Sequence, residues 1–133
     1  MKYMLDTNVC IHIMKNKPLS VMHRFRQHRA EDVCISSITY AELSYGINKG
    51  QHREQNQLAL STFLAGIQIL PFDSLAAVSF GRLRMDLESV GKPIGVMDML
   101  IASHALSQGL TIVTNNTREF ERVPGLTVED WVS

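Results

Sequence analysis

Three carboxylates stand in otherwise apolar segments: Asp6 in YMLDTN, Glu42 in ITYAELSYG and Asp98 in VMDMLIASHAL. A carboxylate next to an apolar core is costly unless something compensates it. Several carboxylates facing one another repel, and a hard divalent cation relieves that repulsion. Magnesium or manganese prefers such oxygen donors and keeps much of its water. An ion so held can activate water and neutralise charge on a phosphate, which suits hydrolysis of a phosphodiester.

Each acid taken singly has a purely structural explanation. Asp6 follows a strand and precedes a helix, where it could be an N-cap, although Thr7 and Asn8 offer the same service. Glu42 completes a capping-box pattern with Thr39. Asp98 suits the first turn of a helix through the macrodipole. What sets the three apart is their common expected location, described below.

The remaining chemistry-bearing residues point elsewhere. His12, His23, His28, His52 and His104 contain no His–Glu–x–x–His arrangement, which argues against an imidazole-held transition metal. Cys10 and Cys34 lie in apolar runs without metal-type spacing and read as reduced core residues. The 13 basic and 13 acidic residues cancel, so bulk charge does not mark a nucleic-acid binder. Their distribution is uneven. No acid occurs from Thr7 to Ala30, a stretch holding Lys15, Lys17, Arg24, Arg26 and Arg29, which could steer a polyanion or meet an acidic partner.

The elements that must position these groups follow from patterning. The 133 residues fit a single domain, 1–133. Apolar, β-branched strands are expected at Lys2–Leu5, Val33–Ser36, Ile67–Phe72, Leu110–Thr114 and, as an edge, Leu126–Val128. Helices are expected over Val9–Lys15 (capped by Thr7 or Asn8), after Pro18, from Ser37 to a stop at Gly50, over Gln51–Leu64, over Ser74–Val90 behind the cap Asp73, and over Met97–Gln108 before Gly109. Continuous apolar strands imply burial on both faces. The expectation is an α/β three-layer sandwich: a central, mostly parallel sheet of four or five strands flanked by helices. Functional groups in such a sheet gather beyond the carboxyl ends of the strands. That edge would receive Asp6, Ser36, Ser37, Thr114, Asn115 and Asn116. No apolar run is long enough to cross a bilayer and MKYMLDTN lacks a signal-peptide pattern, so a cytoplasmic protein without a membrane role is expected.

The segments MLDTN, SSITYAEL, KPIGVMDMLIASHA and VTNNTREF, in that order from about Lys2 to Trp131, resemble the motifs of PIN-domain ribonucleases, and most nearly those of the VapC toxins of bacterial toxin–antitoxin modules. The resemblance implies a PIN fold, a magnesium or manganese cofactor, and endoribonuclease activity that inhibits translation and growth. It also implies a cognate antitoxin as partner, a homodimer, and a larger assembly with the antitoxin. By motif, Asp6, Glu42 and Asp98 are the first three acids, with Asp6 and Asp98 as the main metal ligands and Glu42 acting through water or orienting the nucleophile. Transfer RNA cut in the anticodon region is an implied target, consistent with the accessibility of single-stranded loops.

The sequence departs from many such relatives at the fourth acid. Asn116 stands where they carry Asp, and Glu119 is the nearest replacement, which would favour one tightly bound ion over two. Thr7, Asn8, Ser37, Thr114 and Asn116 are candidate supporting groups for the site. The alternatives are a PIN-fold RNA-processing nuclease outside a toxin module, a phosphotransferase using an aspartyl-phosphate on Asp6, and a non-catalytic binding module on the same fold.

Overall fold

The computed structural model describes all residues from Met1 to Ser133. Five strands, β1 (Tyr3–Leu5), β2 (Val33–Ser36), β3 (Gln68–Leu70), β4 (Thr111–Val113) and β5 (Val128–Glu129), form one sheet in the order β3-β2-β1-β4-β5. All four pairings are parallel, so the sheet is wholly rather than mostly parallel. Helices α1 (Thr7–Met14), α2 (Leu19–Arg26), α3 (Ser37–Lys49), α4 (Arg53–Leu64), α5 (Ser74–Ser89), α6 (Val96–Gln108) and α7 (Thr117–Phe120) connect and flank it.

The strands bury both faces, as their composition requires. Met4, Cys34 and Ile112 turn to one side, where Leu83, Leu87, Ile101 and Phe120 complete a cluster. Leu5, Val33, Ile35 and Val113 turn to the other, against Val9, Leu43, Leu60 and Trp131. Alternation of pleat with apolar residues at every position divides one sheet between two cores. Cys10 and Cys34 are both buried and free.

Several helix ends are set by the expected residues. Asp73 accepts the Ala76 amide at 3.0 Å and starts α5. Gly109 ends α6 in the left-handed region at φ 67°, a backbone conformation that side-chain-bearing residues adopt only with strain. Several boundaries differ from expectation, and two short elements were not expected. Asp6 itself, not Thr7 or Asn8, caps α1, and α1 starts at Thr7. Pro18 stands just outside α2 rather than in its first turn. The last strand falls at Val128–Glu129, later than expected. The one-turn helix α7 and a 3-10 turn at Ala30–Asp32 were hidden by polar, low-periodicity sequence.

The carboxyl-terminal tail is fastened to α2. Glu129 accepts from Arg24 at 3.0 Å and from Trp131 Nε1 at 2.8 Å. The indole stacks on His28 with centroids 4.8 Å apart and planes 7° from parallel.

Candidate active site

Because every strand runs the same way, the segments leaving β1, β2 and β4 emerge at one edge of the sheet. Asp6, the first residue beyond β1, is 4 % exposed. Its Oδ1 accepts the Val9 amide at 2.9 Å and its Oδ2 accepts the Thr114 hydroxyl at 2.5 Å. The capping role and the site position thus coexist on one side chain, each oxygen serving one. Burial pushes its carboxyl above the ordinary range, the two hydrogen bonds oppose that, and the charge of Glu42 adds to it.

Glu42 lies in the second turn of α3. Its Oε1 accepts the Thr7 hydroxyl at 2.5 Å. The capping box with Thr39 does not form. Ser36 is the N-cap, accepting the Ile38 amide at 3.1 Å, because β2 runs directly into the helix. Thr39 is instead buried, with no partner for its hydroxyl.

Asp98 stands in the first turn of α6 behind Gly95. Its carboxyl is pushed up to about 6, chiefly by burial, then by a hydrogen bond with Glu119 and by the negative charges of Glu119, Asp6 and Glu42. Asp98 therefore feels the other three acids, and Glu119 stands within hydrogen-bonding reach of it. Such destabilisation of charge is the signature of a place prepared for positive charge.

The supporting groups divide. Thr114 holds Asp6, and its oxygen also accepts the Asn116 amide at 2.9 Å. The Asn116 side chain donates to Glu119 Oε2 at 3.1 Å, so the amide at the fourth-acid position steers Glu119 toward Asp98. Thr7 holds Glu42. Ser37 is turned to β3, where its hydroxyl accepts the Phe72 amide at 3.0 Å. Asn8 is exposed and makes no side-chain hydrogen bond. Arg118 is exposed, and Arg122 donates to the Pro93 carbonyl at 3.1 Å rather than to Glu119.

No three His, Cys, Asp or Glu side chains converge into a closed ligand shell. The donor set still fits a hard cation of the magnesium type. Such ions are held by one or two carboxylates and keep several waters, and Asp6 and Asp98 are carboxyls whose charge is disfavoured by burial and by neighbouring acids.

Sequence reasoning missed one group. His104, set aside with the other histidines, is wholly buried with Nδ1 2.7 Å from Ser36 Oγ. A histidine on an otherwise apolar helix (IASHAL) was the available signal. Lys15 lines a small cleft that Glu42 also borders, with Ile11, Leu43 and Asn56. The basic stretch is less one-sided than its sequence, since Arg24 pairs with Glu129 and Arg29 with Glu31. No helix is long and apolar enough to cross a membrane.

Comparison with known proteins gives consistent matches. The family described as PIN domain matches residues 3–126. The chain is 50% identical to a tRNA(fMet)-specific endonuclease VapC of Shigella flexneri over 98% of each chain. Among solved structures, it resembles DNA-bound VapBC from Salmonella typhimurium (TM-score 0.93, 46% identity, 98% of each chain). It also resembles VapBC2 from Rickettsia felis bound to a DNA fragment from their promoter (TM-score 0.91, 41% identity, covering 98% of this chain and 99% of that one).

Proposed function

Because this chain belongs to the PIN-domain family, we propose that it is a metal-dependent endoribonuclease, a single domain spanning 1–133, acting as the toxin of a toxin–antitoxin pair. Its full-length likeness to VapC ribonucleases supports the activity, and its likeness to VapBC complexes supports the antitoxin partner. The observation that carries the catalytic assignment is the meeting of Glu119, Asp6 and Glu42 around Asp98 at one sheet edge, where their charges add to burial in pushing its carboxyl up to about 6. We take the substrate to be RNA, with a transfer RNA loop as the target that the Shigella relative's name suggests.

In this proposal Asp6 and Asp98 hold magnesium or manganese. When bound, the ion supplies Lewis acidity, neutralising charge on the scissile phosphate and making water a better nucleophile. The chain's own groups do the rest. Thr114 and the Val9 amide fix both oxygens of Asp6, so that carboxylate presents a set direction. Thr7 occupies Glu42 Oε1, which leaves Oε2 to orient the attacking water and accept its proton. Asn116 holds Glu119 beside Asp98, next to the carboxylates that would hold the ion.

The antitoxin's place is suggested by an apolar cleft of about 630 Å³ between α1, α2 and α4, lined by Ile13, Met22, Phe25, Leu58, Phe63 and Ile67. Arg26 borders it, and Lys15 lies in the adjoining cleft that reaches Glu42. An amphipathic segment with acidic residues would fit this run of surface and end at the carboxylates. A second copy of the chain is assigned to the exposed side of α5, where Leu75, Val78 and Met85 are open to solvent.

The test is end analysis of cleaved RNA. Water attack leaves a 5′-phosphate and a 3′-hydroxyl, and EDTA stops it. A 2′,3′-cyclic phosphate, or undiminished cutting in EDTA, would remove the cation from the mechanism.

A further inference from the structure

The acids Glu42 and Asp98 ride on different helices, α3 and α6, and nothing in either helix alone fixes their separation. One side-chain hydrogen bond joins the start of α3 to α6: Ser36 Oγ to His104 Nδ1, at 2.7 Å. Both residues are 0 % exposed. Ser36 is the N-cap of α3, so its oxygen already accepts the Ile38 amide. Its own proton then needs an acceptor, and Nδ1 of a neutral imidazole protonated at Nε2 supplies one. The resulting chain runs from the α3 backbone through the Ser36 hydroxyl to the middle of α6.

The imidazole is held from a second side. The ring of Phe72 meets it edge to face, with centroids 5.4 Å apart, and Phe72 is itself pinned by its amide to Ser37 Oγ. Nε2, by contrast, is buried with no partner. An apolar side chain of similar size would avoid that cost, so stability alone does not account for a histidine here. We propose that His104 is a positioning residue for the carboxylate site: through Ser36 it sets where α3 begins, and so the stance of Glu42 against Asp98. The inference rests on the nuclease proposal above for its catalytic readout and on cation binding for an independent one.

The experiment compares the full chain with His104→Leu, His104→Asn, Ser36→Ala and the double variant Ser36→Ala/His104→Leu. Melting, kcat and KM on RNA, and Mn²⁺ affinity by calorimetry are measured for each. His104→Leu exchanges the unpartnered Nε2 for an unpartnered Ser36 hydroxyl and is expected to stay folded, melting modestly below the parent. Its kcat and Mn²⁺ affinity fall about tenfold to a hundredfold, as for other groups that orient a cation site, while KM changes by less than about twofold. His104→Asn, whose amide oxygen can accept where Nδ1 did, recovers most of the loss. The double variant falls no further than either single one, as expected for two ends of one tie. Unchanged kcat and Mn²⁺ affinity in His104→Leu, failure of His104→Asn to recover, or fully multiplicative losses would each overturn the inference. Should His104→Leu not fold, His104→Gln replaces it, and Ser36→Ala, which also removes the α3 cap, is read for kcat and Mn²⁺ affinity against its own lower melting temperature. A parent chain that cuts no RNA would sink the nuclease proposal instead, and the Mn²⁺ measurements would still decide the tie.

Discussion

The Thr7 hydroxyl donates to Glu42 Oε1 at 2.5 Å, joining the first residue of α1 to the second turn of α3. Neither residue is fully buried, so the bond does little for the core and much for the direction in which Glu42 faces. Thr7→Val keeps the shape and removes the donor. A fall in kcat of about tenfold or more is expected, with near-parent melting and recovery in Thr7→Ser. Steady-state cleavage of a labelled RNA measures it. Equal activity in Thr7→Val would show that Glu42 needs no such hold.

Asp98 gives the site a pH signature when no cation is present. Its folded pKa of about 6 lies above its ordinary value of 3.8, mainly through burial. Below the ordinary value the carboxyl is protonated in both states. As pH rises through this window the unfolded chain releases the proton first, so stability is lost between pH 3.8 and about 6. In EDTA the parent's melting temperature should therefore drop across that window more steeply than that of Asp98→Asn. At neutral pH the variant should melt higher and be inactive. Mg²⁺ should raise the parent's melting temperature and leave the variant's nearly unmoved. Parallel melting curves for the two proteins would contradict the assigned charge crowding.

The apolar cleft between α2 and α4 can be tested apart from catalysis. Leu58 lines it and is 68% exposed, so Leu58→Glu should fold normally. Its RNA cleavage should match the parent's, while inhibition by the co-expressed antitoxin should weaken by about tenfold or more, the usual effect of placing a charge in an apolar contact. Titration of cleavage with purified antitoxin reads both quantities. Undiminished inhibition would move the partner elsewhere.

Self-association is assigned to α5, where Leu75, Val78 and Met85 recur at helical spacing on one exposed side. Val78→Glu should shift the chain from dimer to monomer in sedimentation experiments without lowering its melting temperature appreciably. A parent already monomeric at tens of micromolar would rule out this assignment.

The strands and most helices were legible because burial on two faces demands apolar strands, and residues such as Asp73 and Gly109 can do few other things at their positions. Asp6, Glu42 and Asp98 stood out as charge in apolar surroundings. Their partners were less legible. Asp6 caps its own helix although Thr7 and Asn8 follow it, because Thr7 is drawn to Glu42 by packing of α1 on α3, which no local pattern contains. Thr39 and Glu42 have capping-box spacing, yet Ser36 starts the helix, since the strand before it leaves no room for a turn. Glu119 reaches Asp98 because a one-turn helix brings it back from Asn116, and four polar residues have too little propensity to announce that turn.

The wholly parallel sheet also governs when the carboxylate cluster comes into being during synthesis. β1 leaves the ribosome first, but its neighbour β4 is made near the other end of the chain. Asp6 waits for Thr114, 108 residues downstream, and Glu119 comes later still. A nascent chain that has not yet made β4 therefore lacks both the strand that pairs with β1 and the Thr114 hydroxyl that holds Asp6. Local helix formation cannot hurry the pairing of β1 with β4. The edge that gathers the carboxylates is thus completed only with the last part of the fold, so under the proposed function a chain cut short before β4 is expected to leave RNA intact.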